Sequence, residues 1–253
     1  MNLLAFDTGT ENLSIGVART VDGQTRQWLH SAPGGARAST DLIPAILDQL
    51  QQAGVRLQAL DAICFGAGPG SFTGLRTACS VAQGLALGAG VAVLPMDSLL
   101  AVAEDARHTA WPHQPEGVVT ALLDARMDEL YSATWAWDVH GHWRVLQPSA
   151  LVRPENVARP DGLPASTPWR LAGNVFATYG ERVGANDPAG ASAMRVAAQP
   201  TASAMLRLAG PMVAAGHTVP PDQAWPHYIR DKVAKTTAER LADKAAAGAG
   251  RPG

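Results

Sequence analysis

The residues best suited to phosphate chemistry lie near the amino terminus, in the segment Asp7-Thr8-Gly9-Thr10. In several classes of ATP-using enzymes, an Asp-x-Gly-Thr hairpin cradles phosphate with its backbone N–H groups while the aspartate organises a metal ion. The glycine permits the close backbone approach that such a cradle needs. A simpler interpretation is equally open, in which Asp7 is a turn-forming acid that hydrogen-bonds its own hairpin.

A phosphate site of this kind needs a second, facing loop, and the chain offers an altered one. Matching Asp7 to Asp124 sets Leu13 opposite Leu130 and reveals an approximate repeat of strand, turn, strand, hairpin and strand. In the second copy, Asp124-Ala125-Arg126, arginine stands where the first copy has glycine. An ATP- or phosphate-handling enzyme that uses the first loop therefore stays one alternative.

A separate glycine-rich segment, Gly66 to Ser71, follows a predicted strand and opens a predicted helix, which is the usual setting of a phosphate-binding loop. A Walker loop needs a lysine before its Ser/Thr, and residues 1–100 contain no lysine. A dinucleotide-binding loop needs glycine where Ser71 stands, and Pro69 removes one N–H donor. The segment is better interpreted as a tight strand-to-helix connection in which Ser71 or Thr73 caps the helix.

The remaining side chains give no complete catalytic set. The sequence PGSFTG around Ser71 differs from the Gly-x-Ser-x-Gly elbow of serine hydrolases. None of the seven histidines forms a His-x-x-x-His pair. Four of them are expected at the surface: His108, His113, His140 and His142. The sequence therefore predicts neither catalytic residues nor a metal site in this chain.

Composition excludes several classes of protein. Among 253 residues, Lys+Arg 20 and Asp+Glu 22 give a net charge of −2, without the basic excess of a general polyanion binder. With 47% hydrophobic and 17% charged residues, the chain is expected to bury a core. Two cysteines and the absence of a signal-peptide pattern favour a cytoplasmic location. The uncharged run from Thr77 to Met96 contains glycines and a proline, so no membrane span is expected.

Strand and helix patterns alternate along the chain, which predicts an α/β fold. Asp22-Gly23 is a hairpin signal between two early strands, and later patterns predict a strand at Trp169–Gly173 and a helix at Ala202–Gly216. We expect three parts. Residues 1–100 form an amino-terminal lobe, and residues 101–231 form a degenerate second lobe with a C-terminal helix that can pack back on the first. Residues 232–253 are expected to be a disordered tail.

Two helices of the first lobe are unusually apolar. One carries Leu42 and Ile46 and begins near Ser39 or Thr40, and the other runs through Thr77–Leu87 without a single charge. Such helices are covered on nearly all sides. Either the covering is entirely internal, or one face packs against another chain.

Four segments of the chain are similar to one known family. They are LLAFDTGTENLSIGVA, FGAGPGSFTGLRTACSVAQGLALG, LLDARMDELYSATW and HYIRDKV. The chain resembles the TsaB (YeaZ) family in these blocks, which span most of residues 1–135 and return at 224–234. The combination of GPGSFTGLR with QGLALG is specific to that family, and the middle of the chain matches it poorly.

The resemblance implies a duplicated actin-like (ASKHA, ribonuclease H-like) α/β fold with two lobes. It implies a non-catalytic scaffold or activator that binds the paralogous transferase subunit TsaD, together with the ATPase TsaE. The complex installs threonylcarbamoyl on N6 of adenosine in tRNAs that read codons beginning with A. This chain would need no cofactor, and ATP and metal are expected on TsaD and TsaE. Contact with tRNA is expected mainly through the complex, and a glycoprotease label used for some members has no support in the sequence.

The resemblance also implies which residues meet the partner. On the first helix these are Leu42, Ile46 and Gln49, and on the second they are Leu75, Arg76, Ala82 and Leu85. The segment Asp7 to Thr10 becomes a vestigial phosphate loop. Where many members and TsaD have histidine, this chain has Ala38-Ser39-Thr40-Asp41, which weakens any expectation of independent metal chemistry. A third alternative is a homodimeric interaction module built on the same helices when TsaD is absent.

Overall fold

The computed structural model of the chain describes residues 1–230. The predicted tail, residues 232–253, lies outside the described residues. The first half forms a five-stranded sheet in the order β3-β2-β1-β4-β5. Its strands are β1 (Asn2–Asp7), β2 (Asn12–Val21), β3 (Gln24–Pro33), β4 (Ala62–Gly68) and β5 (Ala92–Asp97). The central strand β1 is antiparallel to β2 and parallel to β4.

The second half repeats this order in a sheet β10-β9-β6-β7-β8. Its strands are β6 (Gly117–Arg126), β7 (Glu129–Trp137), β8 (Trp143–Val152), β9 (Trp169–Gly173) and β10 (Met194–Ala197). Here β6 is antiparallel to β7 and parallel to β9, as β1 is to β2 and β4. Two sheets of identical order in one chain form the duplicated actin-like, ribonuclease H-like fold, so the predicted α/β fold class is confirmed.

Six helices connect and cover the sheets in residues 1–230. They are α1 (Ala38–Ala53), α2 (Phe72–Ala89), α3 (Ser98–Ala110), α4 (Phe176–Tyr179), α5 (Pro188–Ser192) and α6 (Ala202–Ala214). The predicted cap of α1 at Ser39 or Thr40 is wrong, because the helix already begins at Ala38 after a short 3-10 turn. The hairpin at Asp22-Gly23 is confirmed, since both residues have the positive φ that a tight two-residue turn needs.

Two of the helices pack on the sheet of the opposite half. Leu99 and Val102 of α3 join the core formed by the second sheet. Met205 and Leu206 of α6 join the core on the first sheet, next to β1 and β4. The first turn of α6 is fixed there because the Ala202 N–H donates to the Ser14 hydroxyl of β2 at 2.8 Å.

A buried carboxylate ties these crossing helices together. Glu104 of α3 is 2% exposed and accepts hydrogen bonds from Arg107 Nε at 2.8 Å and from Arg207 Nε of α6 at 2.7 Å. The indole N–H of Trp143, on β8, also donates to it at 3.2 Å. Burial opposes ionisation of Glu104, but the two arginines outweigh it and lower its pKa. The negative charge of Glu104 is therefore paired with one arginine on each of the two helices, Arg107 on α3 and Arg207 on α6.

Candidate functional site

A cleft of about 530 Å³ lies between the two lobes, at the ends of β1 and β6. The first lobe contributes the loop after β1 and the start of α2, which includes Thr10 and Ser71. The second lobe contributes the turn after Asp124, and residues 227–230 complete the lining. Both of the loops that the sequence marked for phosphate chemistry therefore border one cavity. Its size falls in the range of small-molecule sites.

Asp7 is held inside the protein at the end of β1. It has no exposed surface, its Oδ1 accepts the Gly9 N–H at 2.7 Å, and its Oδ2 accepts the Ser98 hydroxyl at 2.9 Å. Burial raises the pKa of this carboxyl from 3.8 to about 6, against the effect of the two hydrogen bonds. A Cβ added at Gly66 would lie 1.8 Å from Oδ2, so a glycine is required beside it. The carboxylate thus organises its own hairpin, as the turn-forming interpretation predicts.

The glycine-rich segment packs directly against this hairpin. The Thr8 hydroxyl donates to the Gly74 carbonyl at 2.7 Å, and the Ser71 N–H donates to the Gly9 carbonyl at 2.7 Å. A Cβ at Gly70 would lie 2.7 Å from the Gly9 oxygen, and one at Gly74 would lie 1.9 Å from the Thr8 oxygen. Ser71 also caps α2, since its hydroxyl accepts the Gly74 N–H at 3.2 Å. The prediction of a tight, capped strand-to-helix connection is confirmed.

The second loop repeats the turn of the first with one residue fewer. The Asp124 Oδ1 accepts the Arg126 N–H at 2.8 Å, as Asp7 accepts that of Gly9, and it also accepts the Tyr179 hydroxyl at 2.9 Å. Asp7 pairs with Ser14 across the sheet, whereas Asp124 pairs with Leu130. The alignment of Leu13 with Leu130 is therefore wrong by one position, because the second loop is shorter.

Arg126 crosses the cleft. Its guanidinium forms an ion pair with Glu11 of the first lobe, and its Nη1 lies 3.3 Å from the Asp124 carboxylate. The side chains of Arg126 and Glu11 are 66% and 80% exposed, so the pair is well hydrated. The arginine that replaces the glycine of the first loop thus places its own charge in the space between the loops.

The turn that presents Arg126 has an uncommon backbone. Arg126, Met127 and Asp128 all have φ near +60°, a conformation that costs energy for residues with a side chain. Asp128 accepts two hydrogen bonds from Arg182, each at 2.8 Å, and Arg182 also pairs with Glu155. This network holds the turn in place. No sequence pattern distinguished it from an ordinary turn.

Most of the predicted partner-binding residues lie in the core of this chain. Five of them are buried: Leu42, Ile46, Gln49, Leu75 and Ala82. Leu85 is half-buried and Arg76 is exposed. Leu42, Ile46 and Ala82 belong to the stripes by which α1 and α2 pack on the first sheet, so in the described residues they are covered by this chain itself. Contact of the set with a partner stays a prediction.

The apolar side chains of α1 and α2 that face away from the sheet are not among the predicted partner-binding residues. Ile43 and Leu47 of α1 are 44% and 51% exposed, and Leu87 of α2 is 79% exposed. A Cβ at Gly84 or Gly88 would meet no neighbouring atom, so the outer face of α2 is flat and open. The internal explanation therefore holds for the inner faces of these helices, whereas packing of their exposed outer faces against another chain stays a prediction.

Residues 1–230 contain neither a cluster of metal-binding side chains nor a membrane-spanning helix. No three His, Cys, Asp or Glu side chains come together there as a metal-ion site would require. The four histidines expected at the surface are indeed exposed. Of the helices in this part of the chain, none has the length and hydropathy needed to span a bilayer.

Comparison with known proteins gives a consistent result. The family model described as TsaD, tRNA N6-adenosine threonylcarbamoyltransferase, matches residues 24–238. The tRNA threonylcarbamoyladenosine biosynthesis protein TsaB of Escherichia coli is 34% identical over 92% of this chain and 96% of its own length. The protein of that name from Haemophilus influenzae is 31% identical over 92% of this chain and 95% of its own.

Solved structures agree. YeaZ from Pseudomonas aeruginosa superposes with a TM-score of 0.75 and 35% identity, over 90% of this chain and 99% of that one. A second structure, of a protein described as similar to peptidase YeaZ from Pseudomonas aeruginosa, gives a TM-score of 0.77 and 36% identity over the same shares. Because the likeness extends over nine-tenths of both sequence and structure, this chain belongs to the TsaB family.

Proposed function

We propose that this chain acts in tRNA threonylcarbamoyladenosine biosynthesis as a non-catalytic subunit that binds and activates TsaD, with TsaE as a further member of the complex. The names of the relatives support the pathway. The geometry of the cleft supports the non-catalytic role, and the exposed faces of the first two helices support the binding role.

The observation that carries the proposal is the position of Arg126. A pair of facing phosphate loops requires backbone N–H groups to approach the same phosphate chain from both lobes. In this chain the second loop is one residue shorter, and the Arg126 side chain reaches across the cleft to Glu11. Asp7, on the first loop, is fully buried and already bonded to Gly9 and Ser98. Both loops are thus engaged within the protein, which supports a subunit without turnover of its own.

The outer faces of α1 and α2 support the binding role. Ile43, Leu47 and Leu87 expose large apolar side chains beside the open glycine positions of α2. A helix from a partner can approach such a flat face closely. The interface of an ordinary heterodimer buries about 1,600 Å² of accessible surface in total. The outer faces of α1 and α2 would form this chain's side of such an interface.

The test is size-exclusion chromatography with light scattering, on this chain alone and mixed with TsaD from the same organism. We expect a 1:1 complex for the wild type and none for Leu87→Asp, because an uncompensated charge would lie in an apolar interface. Met194→Asp is the matched control, since Met194 is 60% exposed on β10 of the other lobe. Both variants should keep the wild-type melting temperature.

Two outcomes would contradict the proposal. A wild-type chain that forms no complex with TsaD, with or without ATP and TsaE, but self-associates through Leu87 would favour the homodimeric module. ATP turnover by the isolated chain that disappears in Asp7→Asn would favour the phosphate-handling enzyme. A peptidase role is not proposed, because the Ser71 hydroxyl is used as the cap of α2.

A further inference from the structure

The last described segment of the chain, residues 224–230, lies along one side of α2, and we call it the strap. It begins beside the carboxyl half of the helix. There the Cys79 thiol and the Gln83 amide both donate to the Ala224 carbonyl, at 3.4 and 3.0 Å. Ala224 itself is fully buried, so this end of the strap is fixed.

The strap then runs towards the amino end of α2. The Tyr228 ring lies 5.3 Å from the Phe72 ring, and its hydroxyl accepts a hydrogen bond from Arg76 Nε at 3.2 Å. The Arg76 guanidinium in turn lies 3.8 Å from the centre of the Phe72 ring. These three side chains form a cluster at the edge of the helix, with the two rings tilted by 38°.

The contacted positions of α2 are 72, 76, 79 and 83. Their spacing of four, three and four residues places them in one stripe over residues 72–83 of the helix. This stripe borders the outer face that carries Leu87. The strap and α2 therefore form one continuous and rigidly connected surface.

The strap adds large exposed side chains to that surface. Trp225 is 70% exposed and Tyr228 is 40% exposed, although the backbone on either side is held by hydrogen bonds. The neighbouring His227 N–H donates to the Ala67 carbonyl at 2.6 Å. Because the backbone is already fixed, ordering this segment on binding would cost only the rotamer entropy of its side chains.

We propose that the strap is part of the surface that docks the TsaD-type partner, with Trp225 and Tyr228 as anchor residues beside α2. This inference rests on the proposed function. Tryptophan, tyrosine and arginine are the residue types that most often dominate the energy of protein interfaces. Here Tyr228 contacts Arg76 directly, Trp225 lies three residues earlier in the strap, and the strap follows the side of α2 next to its exposed face.

The same cluster indicates the chemistry of the partner surface. Arg76 contacts an aromatic ring and a phenol, and no carboxylate within residues 1–230 pairs with it. The complementary surface should therefore have an apolar pocket for the Trp225 indole and an aspartate or glutamate within reach of Arg76.

The experiment measures the affinity of the full-length chain for TsaD by isothermal titration calorimetry. We expect Trp225→Ala to weaken binding at least about tenfold, as the truncation of a central aromatic anchor does. Met194→Ala, an exposed truncation on the other lobe, should bind like the wild type. Leu87→Asp is measured alongside as the test of the helix face. Melting temperatures identify any variant that does not fold, and Trp225→Gln replaces Trp225→Ala if needed.

The outcomes separate the two proposals. If Leu87→Asp abolishes binding while Trp225→Ala and Trp225→Gln bind like the wild type, the strap is not part of the interface and the proposed function stands. If Leu87→Asp and both Trp225 variants bind normally, the partner uses another surface and the strap inference is wrong. If the wild type does not bind TsaD, the proposed function fails and the strap inference fails with it.

Discussion

The buried Asp7 makes this protein less stable as its carboxyl ionises, and Asp7→Asn removes that effect. The pKa of Asp7 is about 6 in the folded protein, against 3.8 for an ordinary aspartate. The folded state therefore binds this proton more tightly, so the contribution of Asp7 to stability is most favourable below about pH 4 and falls as the pH rises through 6. The difference in pKa corresponds to about 3 kcal/mol over the full range.

The assay is urea unfolding of the wild type and Asp7→Asn at two pH values. Between about pH 5 and 7.5, the wild type should lose about 1 kcal/mol of unfolding free energy relative to the variant. The asparagine Oδ1 can still accept the Gly9 N–H, and the other titrating groups are common to both proteins. A free-energy difference that stays constant over this pH range would refute the reasoning, because it would mean that Asp7 has an ordinary pKa when folded.

Two further predictions concern stability at other sites. Ile46→Ala should lower the free energy of unfolding by about 2–5 kcal/mol, because it leaves a cavity in the core. Ile43→Ala, on the exposed side of the same helix, should change it by no more than about 0.5 kcal/mol. Equal effects of the two variants in urea unfolding would contradict the assignment of the two faces. Glu104→Gln should cost about 2 kcal/mol at pH 7, because it leaves two half-buried guanidinium groups without a counter-charge. Since the pKa of Glu104 is lowered by folding, the wild-type advantage should shrink as the pH falls through the acid range, and an advantage independent of pH would be inconsistent with this role.

The sequence predicted local structure well where the determinants are local. The turn at Asp22-Gly23, the cap at Ser71 and the strand Trp169–Gly173 each depend on a few neighbouring residues, and each is confirmed. The repeat was detectable because both halves place an aspartate at the end of a central strand. Its register was wrong by one position, because a shorter loop leaves little trace in a sequence with few identities.

The face of an apolar helix could not be predicted with the same success. In α1, Leu42 and Ile46 lie next to Ile43 and Leu47, so two neighbouring stripes are both apolar over the first turns. Only the first stripe continues to the end of the helix, through Ala53, and it is the buried one. Continuity of the stripe over the full helix is the signal that would have separated the core from the exposed face.

The strap was beyond prediction for a different reason. Its contacts with α2 join residues more than 140 positions apart in the chain. Nothing in the composition of residues 224–230 shows which helix they follow. Contacts of this kind depend on how the two lobes come together, and that arrangement is fixed by the whole fold.

The crossing of α3 and α6 has a consequence for synthesis on the ribosome. The apolar face of the first sheet, including Leu3, Ala5 and Cys64, is covered by α6, which is made more than 100 residues later. While the second half is still being translated, only the first turn of α3, with Leu100 and Ala101, covers part of that face. The amino-terminal half released alone should therefore bind chaperones or aggregate, and a fragment that ends after α3 should become soluble only when residues 117–230 are supplied in trans.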